Sequence, residues 1–154
     1  MSIKTLTTAL LSLLIITLVS CEKNEGRNET KISNNNSAES HKNGENCMHC
    51  HKNGGDGEGW FTVAGSVYTS NQLSPAANGI VRIYSEPDET GTLLATIEVD
   101  ALGNFFTTQS IAVSGGVYTS VQSPGGSEIF MDSKITTGAC NSCHGISEDK
   151  IWVN

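Results

Sequence analysis

Two short stretches of this chain carry residue types that can do chemistry together. They are Cys47-Met48-His49-Cys50-His51 and Cys140-Asn141-Ser142-Cys143-His144. Both read C-x-x-C-H, the spacing of covalent haem attachment. Two sulfurs separated by two residues reach the two vinyl groups on one haem edge as thioethers. The next residue then lies beneath the ring, where an imidazole reaches the iron. Cys47 and Cys50 are the expected thioether pair of a first haem c, with His51 as proximal iron ligand. Cys140, Cys143 and His144 repeat the arrangement for a second. The chain has five cysteines, and only Cys21 lies outside these motifs.

Other chemistry fits part of the pattern. Two C-x-x-C pairs can make a four-cysteine zinc site, but such pairs usually stand about 15–20 residues apart. Here a small domain separates them. The pairs can also be disulfides in an oxidising compartment, although a disulfide needs no histidine after it. The competing reading is then a non-redox β-sandwich binding module with C-x-x-C disulfides or a metal site.

A haem that only carries electrons favours six-coordinate iron, which leaves no open position for dioxygen. The candidates for the second axial positions are Met131, His41, His49 and Met48. Met131 ends an expected strand shortly before the second motif; otherwise it fills core space. His41-Lys42-Asn43-Gly44 recurs as His51-Lys52-Asn53-Gly54, so His41 is either a ligand from a small local duplication or a solvated linker residue. His49 lies inside a motif, where its side chain is expected to face away from its own haem and toward the other. An iron left with one open site would make the chain a haem gas sensor or enzyme.

The segments that must position these groups differ sharply in texture. Residues 1–20 combine Lys4, an apolar run from Leu6 to Val19 and a small residue at the end, which describes a secretory signal peptide. The run is short for a spanning helix, which needs about 20 residues. Leu18-Val19-Ser20-Cys21 resembles a bacterial lipobox, which implies export and a lipidated Cys21. Residues 22–46 are rich in Asn, Ser, Glu and Lys, with Ile32 the only large aliphatic. That composition predicts a disordered tether with a reach of roughly 25–30 Å. Gly54-Gly55-Asp56-Gly57-Glu58-Gly59 reads as a flexible arm that completes a first haem-binding segment, residues 47–59. It has no phosphate-loop pattern and no EF-hand spacing.

Residues 60–131 are strand-like. Phe61–Tyr68, Ile80–Tyr84 and Leu93–Val99 are rich in β-branched and aromatic residues, and Asn104–Thr108, Val117–Gln122 and Glu128–Met131 are shorter candidates. Turns at Asn78-Gly79 and Leu102-Gly103-Asn104 separate them. The fold class is all-β, a small antiparallel sandwich, with residues 132–154 as the second haem-binding segment. An even number of strands brings the two motifs to one end, and proximity is the favoured layout. Trp60 and Trp152 each follow a motif histidine, where they either wall a porphyrin or cap the core.

Val63-Ala64-Gly65-Ser66-Val67, Ser74 to Tyr84, Asp100 to Phe105 and Gly116 to Val121 resemble a carboxypeptidase-regulatory-like, or transthyretin-like, β-sandwich. The resemblance covers about the middle half of the chain and implies a scaffold without chemistry of its own. With its leader and motifs, the whole is similar to a bacterial lipoprotein c-type cytochrome. That resemblance implies an exported electron carrier, not a catalyst, anchored on the periplasmic side or at the outer membrane. The formal net charge of −7 becomes −8 on removal of Lys4. Such a protein avoids nucleic acid and favours redox protein partners with basic faces. No serine triad or paired-carboxylate signature points to hydrolysis.

Overall fold

The computed structural model describes residues 29–154. The leader and Cys21 lie outside these residues, as does the tether up to residue 28. Among the described residues no helix is long and apolar enough to cross a membrane.

Seven strands form two sheets. In chain order they are β1 Val63–Thr69, β2 Ile80–Tyr84, β3 Leu93–Glu98, β4 Asn104–Thr107, β5 Tyr118–Gln122, β6 Glu128–Phe130 and β7 Ile151–Val153. One sheet has the order β4-β1-β7 and the other β3-β2-β5-β6. The first six strands match the expected ones to within two residues at either end. All pairs are antiparallel except β1–β7, which is parallel, with Tyr68 opposite Trp152.

Alternation along the strands makes the core. Val63 and Val67 of β1, Val81 and Ile83 of β2, and Ile97 of β3 meet Phe105, Val121 and Val153 between the sheets. Each such side chain contributes roughly 1.5–3 kcal/mol on burial. Two turns fix the register. Gly103 takes φ 79°, and the buried Asp100 carboxylate accepts from the Leu102 and Asn104 amides, both at 2.9 Å. The β5–β6 hairpin turns through Ser123-Pro124-Gly125-Gly126, with the Gly126 amide donating to the Ser123 carbonyl at 3.0 Å. Proline followed by a glycine at φ 70° suits a type II turn.

Three features depart from the sequence reading. The sandwich extends beyond residue 131, because β7 follows the second motif and completes the smaller sheet. Residues 29–46, expected as part of a disordered tether, lie against the sandwich instead. Ile32 bridges Thr107, Ser33 is buried, and Ser33 exchanges hydrogen bonds with Phe106 in both directions at 3.0 Å. This short stretch covers the free edge of β4, which would otherwise offer unpaired backbone groups. The glycine-rich arm is also hydrogen-bonded, with the Gly57 amide donating to the Cys50 carbonyl at 3.1 Å.

Candidate functional site

The two C-x-x-C-H motifs adopt the same local shape. Cys47–His49 and Cys140–Ser142 are single 3₁₀ turns. In both, the histidine amide donates to the carbonyl of the first cysteine at 3.0 Å. Asn46 caps the first turn by accepting from the Met48 amide at 3.2 Å.

Both motif histidines are fixed by the same device. His51 Nδ1 lies 2.9 Å from the Glu58 carbonyl oxygen, and His144 Nδ1 lies 2.6 Å from that of Asp149. A carbonyl partner requires Nδ1 to be the protonated nitrogen. Nε2 is thereby left as the lone-pair donor, the arrangement a metal-ligating imidazole needs. The chain makes these contacts by looping back after each motif. Gly57 permits it in the first: a Cβ there would stand 2.7 Å from the His51 ring. At Gly55 a Cβ would strike the Cys50 carbonyl oxygen. The glycine run thus serves close approach, not flexibility.

All four described cysteines are free thiols. Burial pushes the Cys47 thiol up, and burial pushes Cys140 up to about 12. Thiols used for disulfide exchange are shifted the other way, toward the thiolate. Among the described residues no three His, Cys, Asp or Glu side chains converge as a metal centre would require.

Each motif borders its own cavity. The first, of about 620 Å³, is lined by Cys47, Cys50, His51, His41, His49 and Phe61 among others. The second, of about 310 Å³, is lined by Cys140, Cys143, His144, Met131, Ile135 and Trp152 among others. Both volumes fall within the usual range of small-molecule and cofactor sites, about 300–1,000 Å³. The lining of the second is mostly apolar. Phe105 borders both cavities. Its ring packs over Gly65, where a Cβ would meet Phe105 at 2.6 Å and the Cys140 Cβ at 2.9 Å.

The motifs are neighbours, held together by a polar network around buried Ser66 of β1. Asn141, the residue after Cys140, accepts from the Ser66 amide at 3.1 Å. Its Nδ2 donates to Ser66 Oγ and to the Glu45 carbonyl, both at 2.9 Å. Ser66 Oγ also accepts from the Gly44 amide at 2.9 Å and donates to Asn104 Oδ1 at 2.7 Å. The favoured layout, motifs close together, is what the backbone adopts. These amides and hydroxyls are satisfied by one another, which a buried polar group requires.

Of the remaining candidates, His41 and His49 are both exposed and border the first cavity, and Met131 borders the second. His41 lies beside His51, with ring centroids 5.8 Å apart and planes at 37°. His49 is exposed and also lines the first cavity. Met131 faces the second cavity with His144, its sulfur 3.7 Å from Thr119 Oγ1. Met48 lines neither cavity. Trp152 walls the second cavity. At the first the aromatic wall is Phe61, not Trp60. Phe61 stacks on His51 at 4.2 Å and on Phe106 at 4.6 Å. Lys31 pairs with Glu58 at 2.5 Å, tying the docked segment to the arm and holding the Glu58 carboxyl below its usual range.

Phe61, Phe106, Asn141 and Ser66 were not singled out for the site by sequence reading. Phe61 and Phe106 read as ordinary strand aromatics, and Asn141 as a variable motif position. No family model, curated protein or solved structure matches this chain.

Proposed function

We propose that this chain is an exported, lipid-anchored electron carrier holding two covalent c-type haems. The observation that supports it most is the repeated geometry of the motifs. In both, two free thiols sit on a 3₁₀ turn and the next histidine spends Nδ1 on a backbone carbonyl. Each turn opens onto a cavity. The residues present fit the group: Cys47, Cys50 and His51 would hold one haem, and Cys140, Cys143 and His144 the other. Bound there, the iron supplies a one-electron couple whose potential follows its axial ligands and surroundings.

The chain's own residues orient and shield. The Glu58 and Asp149 carbonyls hold the imidazole tautomers, Phe61 and Phe106 fix the plane of His51, and Ile135 and Trp152 line the second site. Ser66 and Asn141 keep the two motifs together, and adjacency favours transfer between them. A one-electron carrier needs no acid–base step, so on this reading the charged side chains at the cavity rims serve solubility and docking. Cys21 would carry the lipid anchor, and the net negative charge favours redox partners with basic faces.

The test is a pyridine haemochrome assay, with iron counted per chain, on full-length protein from a host with c-type maturation machinery. Two haems per chain are expected. Protein without haem absorbance would overturn the reading and leave the binding-module alternative.

A further inference from the structure

We propose that His41 is the second axial ligand at the first site, closing it with two imidazoles, while the second site has no such partner. The inference rests on the two-haem reading and adds to it a ligand and an inequality between sites.

The first ground is spacing. Metal–imidazole bonds are about 2 Å long, so two imidazoles on opposite sides of one metal have ring centres about 6 Å apart. The His41 and His51 centroids are 5.8 Å apart, and both residues line one cavity.

The second ground is that His41 is held there. Asn104 Nδ2 donates to Ser40 Oγ at 2.9 Å and to the His41 carbonyl at 3.5 Å. Asn43 Nδ2 donates to the Leu102 carbonyl and to Asn104 Oδ1, both at 3.1 Å. The Gly44 amide donates to Ser66 Oγ. The backbone is therefore pinned before, at and after His41. The exposed imidazole keeps its rotamer freedom, but a backbone already placed loses little more when that side chain ligates, which favours binding.

The third ground is elimination. His49 makes no ring contact with His51 among the described residues, whereas His41 does. Met131 borders the other cavity. Among the described residues around the second cavity, His144 is the sole imidazole and Met131 the sole thioether. A histidine–methionine pair raises the potential of an iron, so the two sites would differ in potential and electrons would settle on the second.

The experiment compares the matured wild-type protein with His41→Ala, His41→Met and His49→Ala. Haemochrome assay gives the haem count, electron paramagnetic resonance the ferric spin state, and carbon monoxide titration the open positions. His41→Ala should keep two haems per chain, convert one iron to a high-spin signal and add one equivalent of carbon monoxide binding. Added imidazole should reverse both changes. His41→Met should replace the bis-imidazole signal with an imidazole–thioether one, and His49→Ala should change neither. Two haems with an unchanged spectrum in His41→Ala would overturn the ligand assignment and leave the two-haem reading intact. So would the same loss appearing in His49→Ala instead. Absence of haem from the wild type would remove both.

Discussion

The two C-x-x-C-H sites share a turn and the carbonyl that holds each histidine, but their surroundings differ. The first is built against β4 mostly from segments outside the strands: residues 29–46, the motif and the glycine arm, with the His51–Phe61–Phe106 stack joining them to the sheet. The second is set into the sandwich, between Val81, Ile83 and Phe105 of the core and the β5–β6 edge. Its loop, residues 145–150, returns directly to β7. One offers a second imidazole and the other a thioether. On the two-haem proposal the motif would specify how each group is attached, while the surrounding chain would decide what else its metal meets. Two copies of one motif need not make two copies of one site.

Substitutions can divide the sites. The largest expected effect is loss of a whole haem. Cys47→Ser with Cys50→Ser should leave one haem per chain, held by His144, and the carbon monoxide behaviour of the second site should be unchanged. Cys140→Ser with Cys143→Ser should do the converse and keep the bis-imidazole signal. If either double variant lost both haems while remaining folded, the sites would not be independent.

Asn141→Ala comes next. It removes three hydrogen bonds around Ser66, two of them to Ser66 itself and one to the Glu45 carbonyl. Leaving such buried partners unsatisfied costs about 1–3 kcal/mol each at most, with partial relief by water. Denaturant unfolding should show a loss of this order. Magnetic or exciton coupling between the haems should weaken as the motifs separate, an effect that a purely structural role elsewhere would not give.

Two glycines sharpen the contrast further. Gly145 has φ 87°, and a Cβ there would meet only Lys150 Cγ, at an ordinary 3.6 Å, so Gly145→Ala should cost roughly 1–2 kcal/mol through backbone conformation alone. Gly57 has ordinary φ but presses on His51. Gly57→Ala should cost stability by a different route, displacing the held ring, and should in addition alter the electronic spectrum of the first site only. A spectral change at the second site would contradict the assignment of that loop.

Much of this architecture was legible in the sequence. The β-branched runs and the turn residues at Asn78-Gly79 and Leu102-Gly103 placed six strands, because alternation and turn chemistry are local. The strand β7 was not legible. It has three residues, and its pairing with β1 links positions such as Tyr68 and Trp152 that only the closed fold brings together. The docked segment failed to show for a related reason. Asn and Ser have the composition of a solvated tether, and nothing local tells that Ser33, Ser40 and Asn43 have partners on β4 and the turn before it. The motif cysteines and histidines were legible from spacing alone. The repeat His41-Lys42-Asn43-Gly44 was visible too, but its nearness to His51 depends on the docking that composition concealed.

The most direct test of the whole account is the intact mass of natively matured protein. The account predicts an increase equal to two haem groups, lost one at a time in the two double-cysteine variants. Four unmodified thiols, or sulfurs bridged to one another, would contradict it.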